Sequence, residues 1–116
     1  MRGYDYPIEY FDLMSRVALY LGSIEAQLLS SEYSYETFGS WWFAFMKKGN
    51  RYRVVYDGRD FELRFEKDPV QGKVHGVYIT QWKEVLVLQV GDQNGPHLQK
   101  STEQLIQQGL AKEGLT

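Results

Sequence analysis

Trp-Trp-Phe-Ala-Phe-Met-Lys-Lys-Gly-Asn-Arg-Tyr-Arg-Val-Val-Tyr-Asp-Gly-Arg-Asp-Phe-Glu-Leu-Arg-Phe-Glu, residues 41–66, alternates apolar and polar side chains and is broken twice by tight-turn residues. Alternation with period two is the mark of a half-buried strand. The stretch therefore predicts a three-stranded antiparallel meander, with strands at about 41–47, 51–56 and 61–66. Gly49-Asn50 and Gly58-Arg59 supply two-residue hairpin turns. Those turns pair Phe45 with Val54 and Phe43 with Tyr56, then Tyr56 with Phe61, Val54 with Leu63 and Tyr52 with Phe65. Every residue in these pairs is apolar or aromatic, so both turns agree on one core face; a slip of one residue would turn them all to water.

Outward from the meander, the N-terminal third predicts a long helix over residues 7–31. Pro7 suits a first helical position. Phe11, Met14, Ala18, Leu21, Ile24 and Leu28 recur at spacings of three and four, with Leu13 and Val17 widening the stripe. Gly22 lies within it and is read as a point of close approach to the sheet, because glycine inside a helix otherwise costs about 1 kcal/mol against alanine. Residues 30–40 form the connection. Beyond the meander, 67–76 reads as a loop containing His75, Val77–Thr80 as a short strand, and Val85–Val90 as a strand buried on both sides or central in the sheet. Gly-Asp-Gln-Asn-Gly-Pro at 91–96 ends that strand and places His97 in a loop. Ser101 is the expected cap of a short helix over 102–112, carried by Leu105, Ile106 and Leu110 and closed by Gly114. The expected fold is α+β, a single domain over 1–116. It has an antiparallel sheet of four to five strands, a long N-terminal helix and a short C-terminal helix, in the order α-β-β-β-(β)-β-α.

Composition narrows the chemistry. A chain of 116 residues can bury a core without staples, and with no cysteine it has no disulfide, thiolate metal site or cysteine nucleophile. Net charge is −2, which argues against nucleic-acid binding. No apolar run approaches the roughly 18 residues of a membrane span. The first residues, Met-Arg-Gly-Tyr-Asp-Tyr-Pro, lack the apolar run of a signal peptide, so a cytoplasmic location is the expectation. Charge is unevenly spread: residues 1–40 carry two basic and six acidic side chains, residues 41–74 eight basic and five acidic. Eighteen residues are aromatic, and surplus aromatics are at home in interfaces and in cross-strand pairs.

The register that fills the core face also defines an outer one. On it Ala44 opposes Val55, Met46 opposes Arg53, Arg53 opposes Arg64, and Arg51 opposes Glu66, with Trp42 near Asp57 and Asp60. Like charges directly opposite are destabilising. The Arg53–Arg64 pair therefore calls for compensation, from neighbouring carboxylates and a stacked Trp42 or from an anionic partner. Trp42, Met46, Arg53 and Arg64 are the candidate partner-binding residues.

A search for catalytic chemistry finds little. The two histidines, His75 and His97, stand far apart without carboxylates at metal-ligand spacing, so no metal or cofactor is expected. Asp57 and Asp60 followed by Glu62-Leu63-Arg64 resemble, over fewer than ten residues, the acidic motif of metal-dependent PD-(D/E)xK nucleases. Arg64 stands where that motif wants lysine, and Asp57-Gly-Arg-Asp60 is also good turn chemistry. The chain as a whole, in size, mild acidity and helix-plus-antiparallel-sheet plan, looks like the small immunity proteins of bacterial toxin systems, without a diagnostic motif. That resemblance implies a non-catalytic protein-binding module that neutralises a partner by surface contact. The alternatives are a small-ligand carrier with a pocket lined by Trp41, Phe43 and Tyr56, a secretion chaperone, and a homodimer that uses the outer face or an unpaired edge strand.

Overall fold

A computed structural model describes residues 5–34, 36, 39–68, 73–74, 77–78, 82–91 and 95–115. The chain runs α1 (Asp5–Ser23), β1 (Gln27–Ser34), β2 (Ser40–Lys47), β3 (Asn50–Asp57), β4 (Glu62–Lys67), β5 (Lys73–Val74), β6 (Val77–Tyr78), β7 (Lys83–Gln89) and α2 (Gly95–Lys112). Five strands form one antiparallel sheet in the order β1-β2-β3-β4-β7, and β5 and β6 make a separate short hairpin. This is the α+β plan expected from the sequence, with β1 added before the meander and the short β5 inside the segment read as a loop over 67–76. His75 and the residues at 79–80 lie outside the described residues.

The core sits between the helices and one sheet face. Trp41, Phe43 and Phe45 of β2, Tyr52, Val54 and Tyr56 of β3, and Leu63 and Phe65 of β4 are all buried. Their rings pack along and across the strands: Trp41 stacks 5.8 Å from Phe43 on its own strand and 5.5 Å from Tyr56 on the next, and Tyr52 lies tilted 5.2 Å from Phe65. Tyr10, Leu13, Met14, Val17 and Leu21 of α1, with Leu98, Leu105, Ile106 and Leu110 of α2, close this layer.

The core face follows the alternation, but both hairpin registers differ from the expected ones by two residues. Phe45 pairs with Tyr52, Phe43 with Val54 and Trp41 with Tyr56; Val54 then pairs with Phe65 and Tyr56 with Leu63. The first turn is Lys48-Gly49, both at positive φ (51° and 80°), the geometry whose twist matches the flanking strands. The second connection is four residues, Gly58–Phe61, not two. The Asp57 carboxylate accepts the N–H groups of Arg59 (2.9 Å) and Asp60 (3.3 Å) and holds that loop open, leaving Phe61 out of the core at φ 52°. A displacement of two residues preserves the face of every strand side chain, so the core face survives the change of register, while Phe61, expected in it, falls in the loop.

The N-terminal helix stops at Ser23, well short of residue 31. The N–H of Ala26 reaches the Leu21 carbonyl (2.8 Å) and that of Glu25 the Gly22 carbonyl (3.2 Å). This reversal puts Glu25 at φ 59°, a position glycine usually fills. The Lys47 amine closes the end by donating to the Ile24 carbonyl. The chain then turns into β1, where a bulge between Leu28 and Ser30 shifts the pairing with β2. Gly22 is exposed with nothing within 4 Å of an added Cβ, so it marks no close approach; Gly109 of α2 does, its Cβ position lying 2.6 Å from the Phe65 ring. Phe11, assigned to the core stripe, is 65 % exposed.

Two further expectations change. The 85–90 segment forms an edge strand beside β4, and Val85–Leu88 are half-buried instead of enclosed on both sides. Helix α2 begins at Gly95, so Ser101 is interior and His97 is an exposed helical residue. Pro96 sits in the first turn, where its missing N–H costs no hydrogen bond. The predicted end holds: Gly114 takes φ 75° and the Leu115 N–H bonds the Leu110 carbonyl at 2.9 Å.

Candidate binding face

Because the described helices both pack on the core face, the opposite face of β1–β4 and β7 is built only from alternate strand residues and what folds over them. Trp42, Met46, Arg53 and Arg64 all lie on it, half-buried. Their neighbours differ from the expected ones. Arg53 stands between Ala44 and Glu66, and Arg64 between Val55 and Val87, so the two arginines are diagonal and no like-charge pair exists between them. Met46 sits beside Arg51 near the first turn, at the margin of the cluster.

Glu66 is the centre of the arrangement. Its Oε1 accepts from Arg53 Nε (2.8 Å) and Nη2 (2.5 Å), and its Oε2 lies 3.7 Å from Arg64 Nε. Arg64 also meets Glu62 at 3.1 Å and Asp57 at 3.9 Å, and Glu62 in turn accepts from Gln89 Nε2 at 2.8 Å. The side chain of Glu66 is 11 % exposed, Arg53 24 % and Arg64 29 %. Above this network Arg53 is flanked by two indoles, its Cζ 4.7 Å from the Trp82 ring and 6.0 Å from the Trp42 ring, while Arg51 lies 5.6 Å from Trp82. Trp82 was not legible as part of this face: it enters from the segment before β7, and strand periodicity says nothing about residues outside strands.

The acidic motif near the second turn has other work. Asp57 holds the loop, Asp60 is exposed, and Glu62 is engaged with Arg64 and Gln89. Among the described residues no three His, Asp or Glu side chains converge on a metal position. The rings expected to line a ligand pocket, Trp41, Phe43 and Tyr56, are buried and stacked on one another. A groove of about 730 Å³ lies elsewhere, at the polar rim where Lys67, Asp68 and Lys83 meet Glu113.

At that rim Lys67 Nζ pairs with Glu113 at 2.8 Å and the Tyr52 hydroxyl lies 3.5 Å from the same carboxylate. Burial, and then the neighbouring Glu113 charge, pushes the Tyr52 phenol up to about 12 from its usual 10.0. An acid whose folded pKa is raised gives stability that is complete below the unfolded pKa and lost as pH climbs through the folded one. Unfolding midpoints are therefore expected to fall between about pH 10 and 12, and Tyr52→Phe is expected to flatten that part of the curve. Ultraviolet titration of the nine tyrosines should show a late phenolate that the variant lacks; an unchanged titration would refute the assignment.

No protein-family model matches this chain, and no curated protein or solved structure matches it either. No described helix is long and apolar enough to cross a membrane.

Proposed function

We propose that this protein is a non-catalytic protein-binding module, of the kind that inhibits a partner by surface contact, and that Trp42, Met46, Arg53 and Arg64 lie in the contact. The observation that carries this reading is the fixed Arg53, forked onto Glu66 and flanked by Trp42 and Trp82 on a rigid sheet. Binding energy concentrates in a few Trp, Tyr and Arg anchors, and anchors already held in place lose little entropy when a partner docks. Each arginine of the cluster already faces a carboxylate. The partner that fits therefore offers hydrogen-bond acceptors and apolar area, not a field of negative charge.

The test is capture of a stoichiometric partner from the source cell extract, followed by calorimetry with both proteins purified. Trp42→Ala should weaken binding by about tenfold or more, while Lys100→Ala, on the exposed side of α2, should leave it unchanged. Charge reversal at Arg53 or Arg64 is unsuitable, because it would set new carboxylates against Glu66 and perturb the fold. Equal affinity of Trp42→Ala and wild type, or no partner at all, would overturn the reading.

A further inference from the structure

Helix α1 has two apolar faces. One, Tyr10, Leu13, Met14, Val17 and Leu21, is buried against the sheet and α2. The other carries Ile8, Phe11 and Leu19, 69 %, 65 % and 73 % exposed. At 100° per residue Ile8, Ser15 and Leu19 fall within about 40° of one another, with Phe11 and Gly22 alongside. This stripe points directly away from the buried face. Three large apolar side chains aligned on one exposed stripe are more than scattered surface residues.

We infer that this stripe pairs with the same stripe of a second copy of the chain, antiparallel, about a two-fold axis at Ser15. Three features make the face complementary to itself. Residue i then meets residue 30 − i of the mate, so Phe11 meets Leu19, and Ile8 falls opposite Gly22, whose surroundings are open. The small Ser15 at the crossing lets the helix axes approach to about 8 Å. Third, antiparallel pairing brings like flanks together, and on one flank Asp12 and Arg16 already form an ion pair through Arg16 Nε at 3.1 Å. The mate's Arg16 then stands next to Asp12, and the mate's Asp12 next to Arg16; five guanidinium donors can serve both carboxylates. A membrane rich in anionic lipid fits less well, since Glu9 and Asp12 adjoin the stripe. The pairing uses neither the outer sheet face nor an edge strand, so it is independent of the proposed partner contact.

The contact is small beside the roughly 800 Å² per partner of a standard interface, so the dimer is weak, with a dissociation constant on the order of 0.1 mM. Sedimentation over a series reaching about 1 mM should show the mean mass of wild type rising toward twice the monomer. Leu19→Glu should stay monomeric with unchanged circular dichroism. Asp12→Arg should also stay monomeric, and Asp12→Arg with Arg16→Asp should restore the dimer. Because the chain has no cysteine, Ser15→Cys should form a disulfide-linked dimer under mild oxidation, faster than a Lys100→Cys control. A wild type monomeric throughout, association that survives Leu19→Glu, a double swap that fails to restore it, or equal cross-linking of the control would each overturn the inference. A foreign protein or a membrane as the true occupant would give the first of these results.

Discussion

Gly109→Ala is expected to destabilise the protein by about 2 kcal/mol, even though alanine is the better helix former. The added Cβ would lie 2.6–2.7 Å from three carbons of the Phe65 ring, which is itself fully buried. Contacts that short force movement, and overpacking of a tight core costs about 1–3 kcal/mol, sometimes more. Relief of the glycine penalty returns about 1 kcal/mol, so the clash must approach the upper end for the net loss given. At about 4 °C per kcal/mol for a domain of this size, the thermal midpoint should fall by roughly 8 °C. Phe65→Leu in the same chain should recover part of that loss, because a smaller side chain vacates the space the methyl group needs. An alanine variant as stable as wild type, measured by thermal or urea unfolding, would show that α2 can ride away from β4 at little expense.

Glu66→Ala is expected to cost about as much, by a different route. Glu66 is the carboxylate shared by Arg53 and Arg64, and its removal leaves two half-buried guanidinium groups with less compensation. Deleting one member of a buried ion pair costs about 3–5 kcal/mol. Arginine exposures of 24 % and 29 % admit water and bring the expectation down to about 2 kcal/mol. Glu66→Gln keeps the shape and one acceptor and should fall between. Replacing Arg53 and Glu66 together by methionine should cost less than Glu66→Ala alone, since apolar substitution of a whole pair can be nearly neutral. If the double variant is the least stable of the three, the network contributes more than charge neutralisation.

Legibility in the sequence followed the physics of each element. Strand period two fixes which side chains share a face, so Trp42, Met46, Arg53 and Arg64 could be placed together without knowing a single hydrogen bond. It does not fix register, because Lys48-Gly49 and Gly49-Asn50 both offer turn chemistry, and moving the turn by one residue moves the pairing by two. The Arg53–Arg64 opposition depends on the second connection; with four residues in that loop, Gly58–Phe61, instead of two, Arg53 stands opposite Glu66. Strand β1 is hidden in the sequence because Leu28 continues the spacing of the helix before it, and Ser30, Ser31 and Ser34 are not the β-branched or aromatic residues that mark strands. The helix end was hidden by Glu25, which does a glycine's task without a glycine's signature. Phe11 and Leu19 belong to a second stripe on the same helix, and a count of apolar spacings cannot tell two stripes from one broad one.

The margins of the sheet have a bearing on how this chain behaves in a crowd. One outer strand, β1, is bent by its bulge and lined with Ser30, Ser31, Glu32 and Ser34. The other, β7, opens with Lys83 and Glu84, and the Lys112 amine occupies its Val85 carbonyl at 3.1 Å. Flat, apolar margins recruit further chains strand upon strand, whereas bent and charged ones offer a newcomer no template. The aromatic meander, the kind of segment that steric zippers favour, thus lies between two outer strands that are poor templates for strand-upon-strand growth.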